Sequence, residues 1–128
     1  MTREIVHQEM KEMFGRTVTF IDQIPDAYID AEWDLIKRVQ LGETLIPNKY
    51  KELMGLGIAA VTRCRYCALF HTEAAKLNGA TDAEVEEAVH FAKLVSGWSV
   101  YINGLQLDYD EFAEEVRQMV DYVAANTK

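Results

Sequence analysis

Cysteine is scarce in this chain of 128 residues: there are two, Cys64 and Cys67, three positions apart. Proline also occurs only twice, at Pro25 and Pro47, and histidine three times, at His7, His71 and His90. No apolar run approaches the roughly 20 residues that a membrane-spanning helix needs. The opening MTREIVHQEMKEMFG lacks both the apolar core and the small-residue cleavage site of a signal peptide. The expectation is a cytoplasmic protein that does not cross a membrane. Thirteen basic against twenty-one acidic residues leave a net charge of -8 and a pI near 4.8. A surface of that sign repels phosphate backbones and anionic lipid, which excludes nucleic acid and membrane as main partners. Low-complexity tracts, repeats and alternating strands of useful length are all missing, so no sheet is expected.

What is present is a helical pattern. Hydrophobic residues make up 49% of the chain and charged residues 27%, an ordinary balance for a globular protein. The length suits one domain spanning 1–128. The expected fold class is all-α, a compact bundle of five to six helices. Val6, Met10, Met13 and Phe14 form one stripe, ended near Gly15. Pro25 and Asp26 open a second helix, carrying Ile29, Trp33, Ile36 and Val39 as far as Gly42. Pro47 stands near a third start, with Tyr50, Leu53, Met54, Ile58 and Val61 expected to face inward. Gly55 and Gly57 in that helix point to a close crossing with a neighbour. Thr62 is the expected N-cap of the cysteine-bearing helix, which runs on to Gly79. Thr81 with Glu84 is a capping box. The helix after it is expected to be central, with Val85, Ala88, Val89, Ala92 and Val95 buried and a bend at Gly97. Asp108 and Glu111 repeat the box before a last helix with Phe112, Val116, Met119, Val120 and Val123 on one face.

A cysteine pair at this spacing can close a reversible disulfide or give two thiolates to a metal. In a reducing compartment a permanent disulfide is not expected. His71 follows Cys67 by four residues and Cys64 by seven, so a helix aligns all three on one face. Thiolates near a helix start are stabilised by free backbone N–H groups, and Arg63 and Arg65 add positive charge nearby. A thiolate oxidised by peroxide to a sulfenic acid condenses with a second thiol in reach. His71 supplies acid–base chemistry. Glu52, in KYKELMGLG, is a carboxylate in an otherwise apolar stretch and suits a partner for His71, although taken alone it reads as a solvent-facing helical residue. Zinc held by Cys64, Cys67, His71 and a fourth ligand such as Glu52 is the physical alternative, weakened by the lack of a second cysteine pair. His7 and His90 belong to no such constellation.

A glutamate twelve residues before a CxxC, with a histidine four residues after its second cysteine, is the pattern of Glu52, Cys64, Cys67 and His71. With the continuation CALFHTEAAKLNGATDAEVEEAV, the stretch from 47 to 95 resembles the carboxymuconolactone decarboxylase superfamily, in its alkylhydroperoxidase D-like branch. The resemblance implies an all-helical domain assembling as a homotrimer or homohexamer. It implies an antioxidant peroxidase or disulfide oxidoreductase with a redox-active pair that forms a disulfide bond and needs no bound cofactor or metal. Cys67 would attack, Cys64 would resolve, and Glu52 and His71 would relay the proton. The substrate would be a hydroperoxide, and a lipoyl group or small dithiol protein would restore the thiols. Tyr66 stands where the best-known branch carries histidine, so no role transfers to it. The decarboxylase members generally lack the cysteine pair; γ-carboxymuconolactone chemistry, an acid–base reaction on a carboxylated substrate, is the enzymatic alternative. A redox-responsive or zinc-binding oligomeric scaffold is the non-enzymatic one.

Overall fold

A computed structural model describes residues 2–127, and among these the secondary structure is entirely helical. The helices are α1 (Arg3–Phe14), the single turn α2 (Thr19–Asp22), α3 (Ile29–Leu35), α4 (Asn48–Thr62), α5 (Arg65–Leu77), α6 (Asp82–Leu105) and α7 (Tyr109–Asn126). A π-helical segment, Ile36–Leu41, prolongs α3. Seven helical segments replace the five or six expected. The added one is α2, whose β-branched sequence forms a turn because the chain must reverse between α1 and α3.

The first three helices enclose one apolar core of Val6, Met10, Ile21, Ile29 and Trp33. Trp33 is fully buried, and its indole N–H donates to Glu9 at 2.7 Å, which satisfies the polar edge that so large a ring carries inward. Lys37 donates to the same carboxylate at 2.6 Å. Arg3 fastens the start of α1 to the end of α2, donating to the Asp22 carboxylate at 3.0 Å and the Ile24 carbonyl at 2.7 Å. Gly15 ends α1 with φ +80, as its position after the stripe predicts. α3 begins at Ile29 rather than at Pro25; the Pro25 carbonyl instead accepts from Tyr28 and Ile29 in a lead-in turn.

α4 lies at the centre of the second half, against α5 on one side and α6 on the other, with the end of α3 at its first turn. Asn48 and Lys51 hold that junction by donating to the Leu41 and Val39 carbonyls at 3.1 and 2.6 Å. The buried face of α4 is Glu52, Leu56 and Ala59; of the expected stripe Leu53 is half-buried and Tyr50, Met54, Ile58 and Val61 are exposed. Small residues explain the shift. Gly55 lets α5 approach and marks a close crossing, whereas a Cβ on Gly57 would meet that of Ala92 on α6 at 3.9 Å, an ordinary contact that does not require glycine.

Thr62 closes α4, with its hydroxyl on the Ile58 carbonyl, and Arg63 then takes the left-handed conformation at φ 58. The N-cap of α5 is therefore Cys64 itself and not Thr62. The capping box of Thr81 and Glu84 forms as expected, and Asp108 caps α7 by accepting from the Glu111 N–H at 2.8 Å. α6 runs unbroken through Gly97. Of its expected buried stripe only Ala92 is enclosed; Val89, Phe91, Leu94 and Val95 are exposed. Among the described residues α7 has no extensive packing against another helix; Met119, Val120 and Val123 are exposed and Phe112 and Val116 more than a third so.

Candidate active site

The end of α4 and the first two turns of α5 form a helical hairpin around the left-handed Arg63. That reversal places Cys64 at the N-cap, where its Sγ accepts the backbone N–H of Cys67 at 3.3 Å. A sulfur does here what a serine or aspartate oxygen does at other helix starts. The Cys64 thiol is held below its ordinary range by that N–H, by the Cys67 thiol that also donates to it, and by the Tyr66 N–H, against an opposing cost of burial. Cys67 moves the other way: its donation to Cys64, desolvation and the neighbouring sulfur's charge all push its own thiol up. Backbone and thiol donors thus stabilise the thiolate. Arg63 and Arg65, expected to contribute charge, add nothing to this set, and the Arg65 guanidinium lies over the Tyr66 ring at 5.3 Å. Both thiols are free; Cys67 is exposed and Cys64 half-buried.

Glu52 is the one buried charged residue among those described, at 4% exposure, and is not the solvent-facing position that its helix alone suggests. Its Oε2 lies 2.6 Å from Nδ1 of His71. An ionised carboxylate accepts the Nδ1–H, which leaves Nε2 as the ring's free acceptor. The contact depends on Gly55. A Cβ there would stand 2.6 Å from both Nδ1 and Cε1 of the imidazole, inside any real contact distance. The neighbouring Phe70 ring meets the imidazole edge-on at 5.2 Å between centroids.

The four residues singled out by the sequence thus form two contacts, Cys64 with Cys67 and His71 with Glu52, on adjoining turns of one hairpin. Among the described residues no hydrogen bond joins the two pairs, and no three His, Cys, Asp or Glu side chains gather to hold a metal. The zinc alternative lacks a gathered ligand set among these residues, and its suggested fourth ligand, Glu52, is bonded to His71 instead. His7 pairs with Asp22 at 2.5 Å in the other half of the chain, and His90 is exposed.

Gly55 as the seat of the imidazole escaped the sequence, which signals a close crossing there but not what crosses. Tyr66 acquires a place: with Glu52 it lines a pocket of about 730 Å³ between α5, the end of α3 and the first turns of α4. The signal for that pocket was the run Tyr66, Leu69, Phe70, Glu73 and Leu77 at helical spacing, with one acid in an apolar stripe.

An all-helical bundle with a CxxC at a helix start and a buried carboxylate–imidazole pair beneath it defines a class of thiol-bearing helical proteins. The family follows from the sequence: residues 23–108 match the carboxymuconolactone decarboxylase family, and the chain belongs to it. The chain is 27% identical, over 59% of its length and 68% of the relative's, to a Paracoccus denitrificans protein described as uncharacterized protein 4 in the cox locus. Its fold matches the crystal structure of the alkylhydroperoxidase AhpD core from Rhodospirillum rubrum, with a TM-score of 0.74 at 23% identity, covering 84% of this chain and 82% of that one. The expected all-α, alkylhydroperoxidase D-like architecture is thereby established.

Proposed function

We propose that this protein is a thiol-dependent peroxidase or disulfide oxidoreductase that reduces hydroperoxides through Cys64 and Cys67. The observation that carries this reading is the cysteine pair: one sulfur at a helix N-cap, accepting a backbone N–H and its partner's thiol, one turn from the Glu52–His71 contact. In the first step a thiolate attacks the terminal oxygen of ROOH; the O–O bond breaks, and the departing alkoxide takes a proton and leaves as ROH. The sulfenic acid left behind condenses with the second thiol, forming the disulfide and releasing water. An external dithiol, a lipoyl group or a small dithiol protein, then exchanges with the disulfide and is itself oxidised. His71, oriented by Glu52, carries protons through Nε2.

The resemblance gives first attack to Cys67, and the chemistry is consistent with that order. Cys64 holds the more stable thiolate, but the thiol of higher pKa makes the stronger nucleophile once a base removes its proton. Attack by Cys64 is the second reading, favoured by its hydrogen bonds. The exposed apolar faces of α6 and α7 support assembly as a homotrimer or homohexamer, and no helix among the described residues is long and apolar enough to cross a membrane. A cytoplasmic location suits thiols kept reduced.

The deciding experiment is titration of free thiols against added cumene hydroperoxide, with metal content measured on the same sample. Two thiols should disappear per peroxide reduced, and the C64S/C67S double variant should consume none. Peroxide turnover that survives in the double variant would overturn the reading.

A further inference from the structure

The 730 Å³ pocket beside the thiol pair contains neither sulfur; it meets the site at Tyr66 and at Glu52. Its walls are apolar, built by Phe14 of α1, Leu41 at the end of α3, and Leu69, Phe70 and Leu77 of α5. Its formal charges are two carboxylates, the buried Glu52 of α4 and the exposed Glu73 of α5. Among the described residues no lysine, arginine or histidine lines it. Glu52 is buried beside its partner His71, whereas Glu73 is exposed, so Glu73 acts on a bound molecule at short range, within a Debye length. A third carboxylate brought between them finds no counter-ion. An uncharged amphiphile gains the apolar contact without that repulsion.

We propose that this pocket binds the body of an uncharged, apolar hydroperoxide, and that Glu73 is a specificity-determining residue that turns away carboxylated analogues of the same shape. The hydroperoxide identity rests on the peroxidase reading; selection by charge does not. The same repulsion disfavours a carboxylated lactone as substrate, which separates this chain from decarboxylation of γ-carboxymuconolactone type. Polar contacts that exclude the wrong partner give specificity through repulsion as much as through attraction.

The test uses redox-inert probes, so that it stands apart from turnover. Cumyl alcohol and its para-carboxylate are titrated into the reduced full-length chain at pH 7, following the methyl resonances of Leu41, Leu69 and Leu77. Cumyl alcohol should shift all three and bind at least about tenfold more tightly than the carboxylate. E73Q should narrow that ratio several-fold, and E73K should bring it to unity or invert it. The ratio in E73Q distinguishes local repulsion from the field of the whole acidic chain, which E73Q barely alters. Equal affinity for the two alcohols, an unchanged ratio in E73Q, or no methyl shift with either would overturn the proposal. A chain that binds cumyl alcohol selectively yet reduces no cumene hydroperoxide would keep the pocket and remove the peroxidase reading.

Discussion

Cys64 and Cys67 differ only in where the helix starts, and that difference sets their chemistry. The N-cap sulfur accepts donors, while the sulfur one turn on donates and stands beside a charge, so their thiol pKa values move apart. At pH 7 iodoacetamide should therefore label Cys64 before Cys67, with Cys64 reactivity half-maximal below the usual thiol value of about 8.5. Replacing Cys64 by serine should let the Cys67 thiol fall back toward that value. Peptide mass spectrometry across a pH series reads both, and faster labelling of Cys67 at pH 7 in the unaltered chain would contradict the assignment. Gly55 carries a second expectation at this scale. Alanine there meets the imidazole at 2.6 Å, so G55A should displace His71 from Glu52. The shift should show as changed imidazole nitrogen resonances, with a stability cost of about 1–3 kcal/mol and loss of most peroxide turnover. E52Q keeps the shape and removes the charge; loss of general acid–base assistance should slow turnover by roughly 10²–10⁴-fold while far-UV circular dichroism stays unchanged.

Among the elements, the α1–α2 junction is held by polar contacts whose strength depends on pH. His7 and Arg3 both bond to the Asp22 carboxylate, and they hold its pKa below the ordinary carboxylate value. A depressed folded-state pKa means that the unfolded chain binds protons first as acid is added. The stabilisation is complete above the unfolded value of about 3.9 and is lost as pH falls through the lower folded one. The melting temperature of D22N should accordingly lie below that of the unaltered chain at pH 6, and the gap should close toward pH 3. A constant gap would place the effect in packing. The helices themselves were largely legible, because local signals define them: the glycine after Phe14, the prolines before α3 and α4, and the Thr81–Glu84 box. Which face of each helix is buried was not. α4 has an apolar stripe at Tyr50, Met54, Ile58 and Val61, yet buries Glu52, Leu56 and Ala59, because glycine and alanine permit a closer crossing than bulky residues do. Glu52, Cys64, Cys67 and His71 could be singled out by spacing, but the Gly55 seat and the Glu73 pocket needed the third dimension.

For the whole molecule, the unusual feature is how much apolar surface one chain leaves uncovered. Among the described residues α7 has no extensive packing against another helix and leaves Met119, Val120 and Val123 exposed, while α4 and α6 leave a groove of about 770 Å³ lined by Met54, Ile58, Val61, Phe91 and Val95. Monomeric proteins rarely expose contiguous apolar surface on this scale. An 18-residue helix with one apolar face gains little stability until that face is covered, since packing rather than propensity supplies most of a helix's free energy. In the proposed assembly further copies would supply the cover, and sedimentation at micromolar concentration should give a mass three or six times 14.6 kDa. Substituting Met119 and Val123 together by aspartate should break the assembly. Because both side chains are exposed within one chain, the loss should leave the Trp33 core and the α4–α5 hairpin folded. Near-ultraviolet circular dichroism of the buried Trp33 should persist in the dissociated variant, whereas helicity should fall by about the share that α7 contributes. A monomer for the unaltered chain, or an assembly that survives both aspartates, would refute the part given to α7.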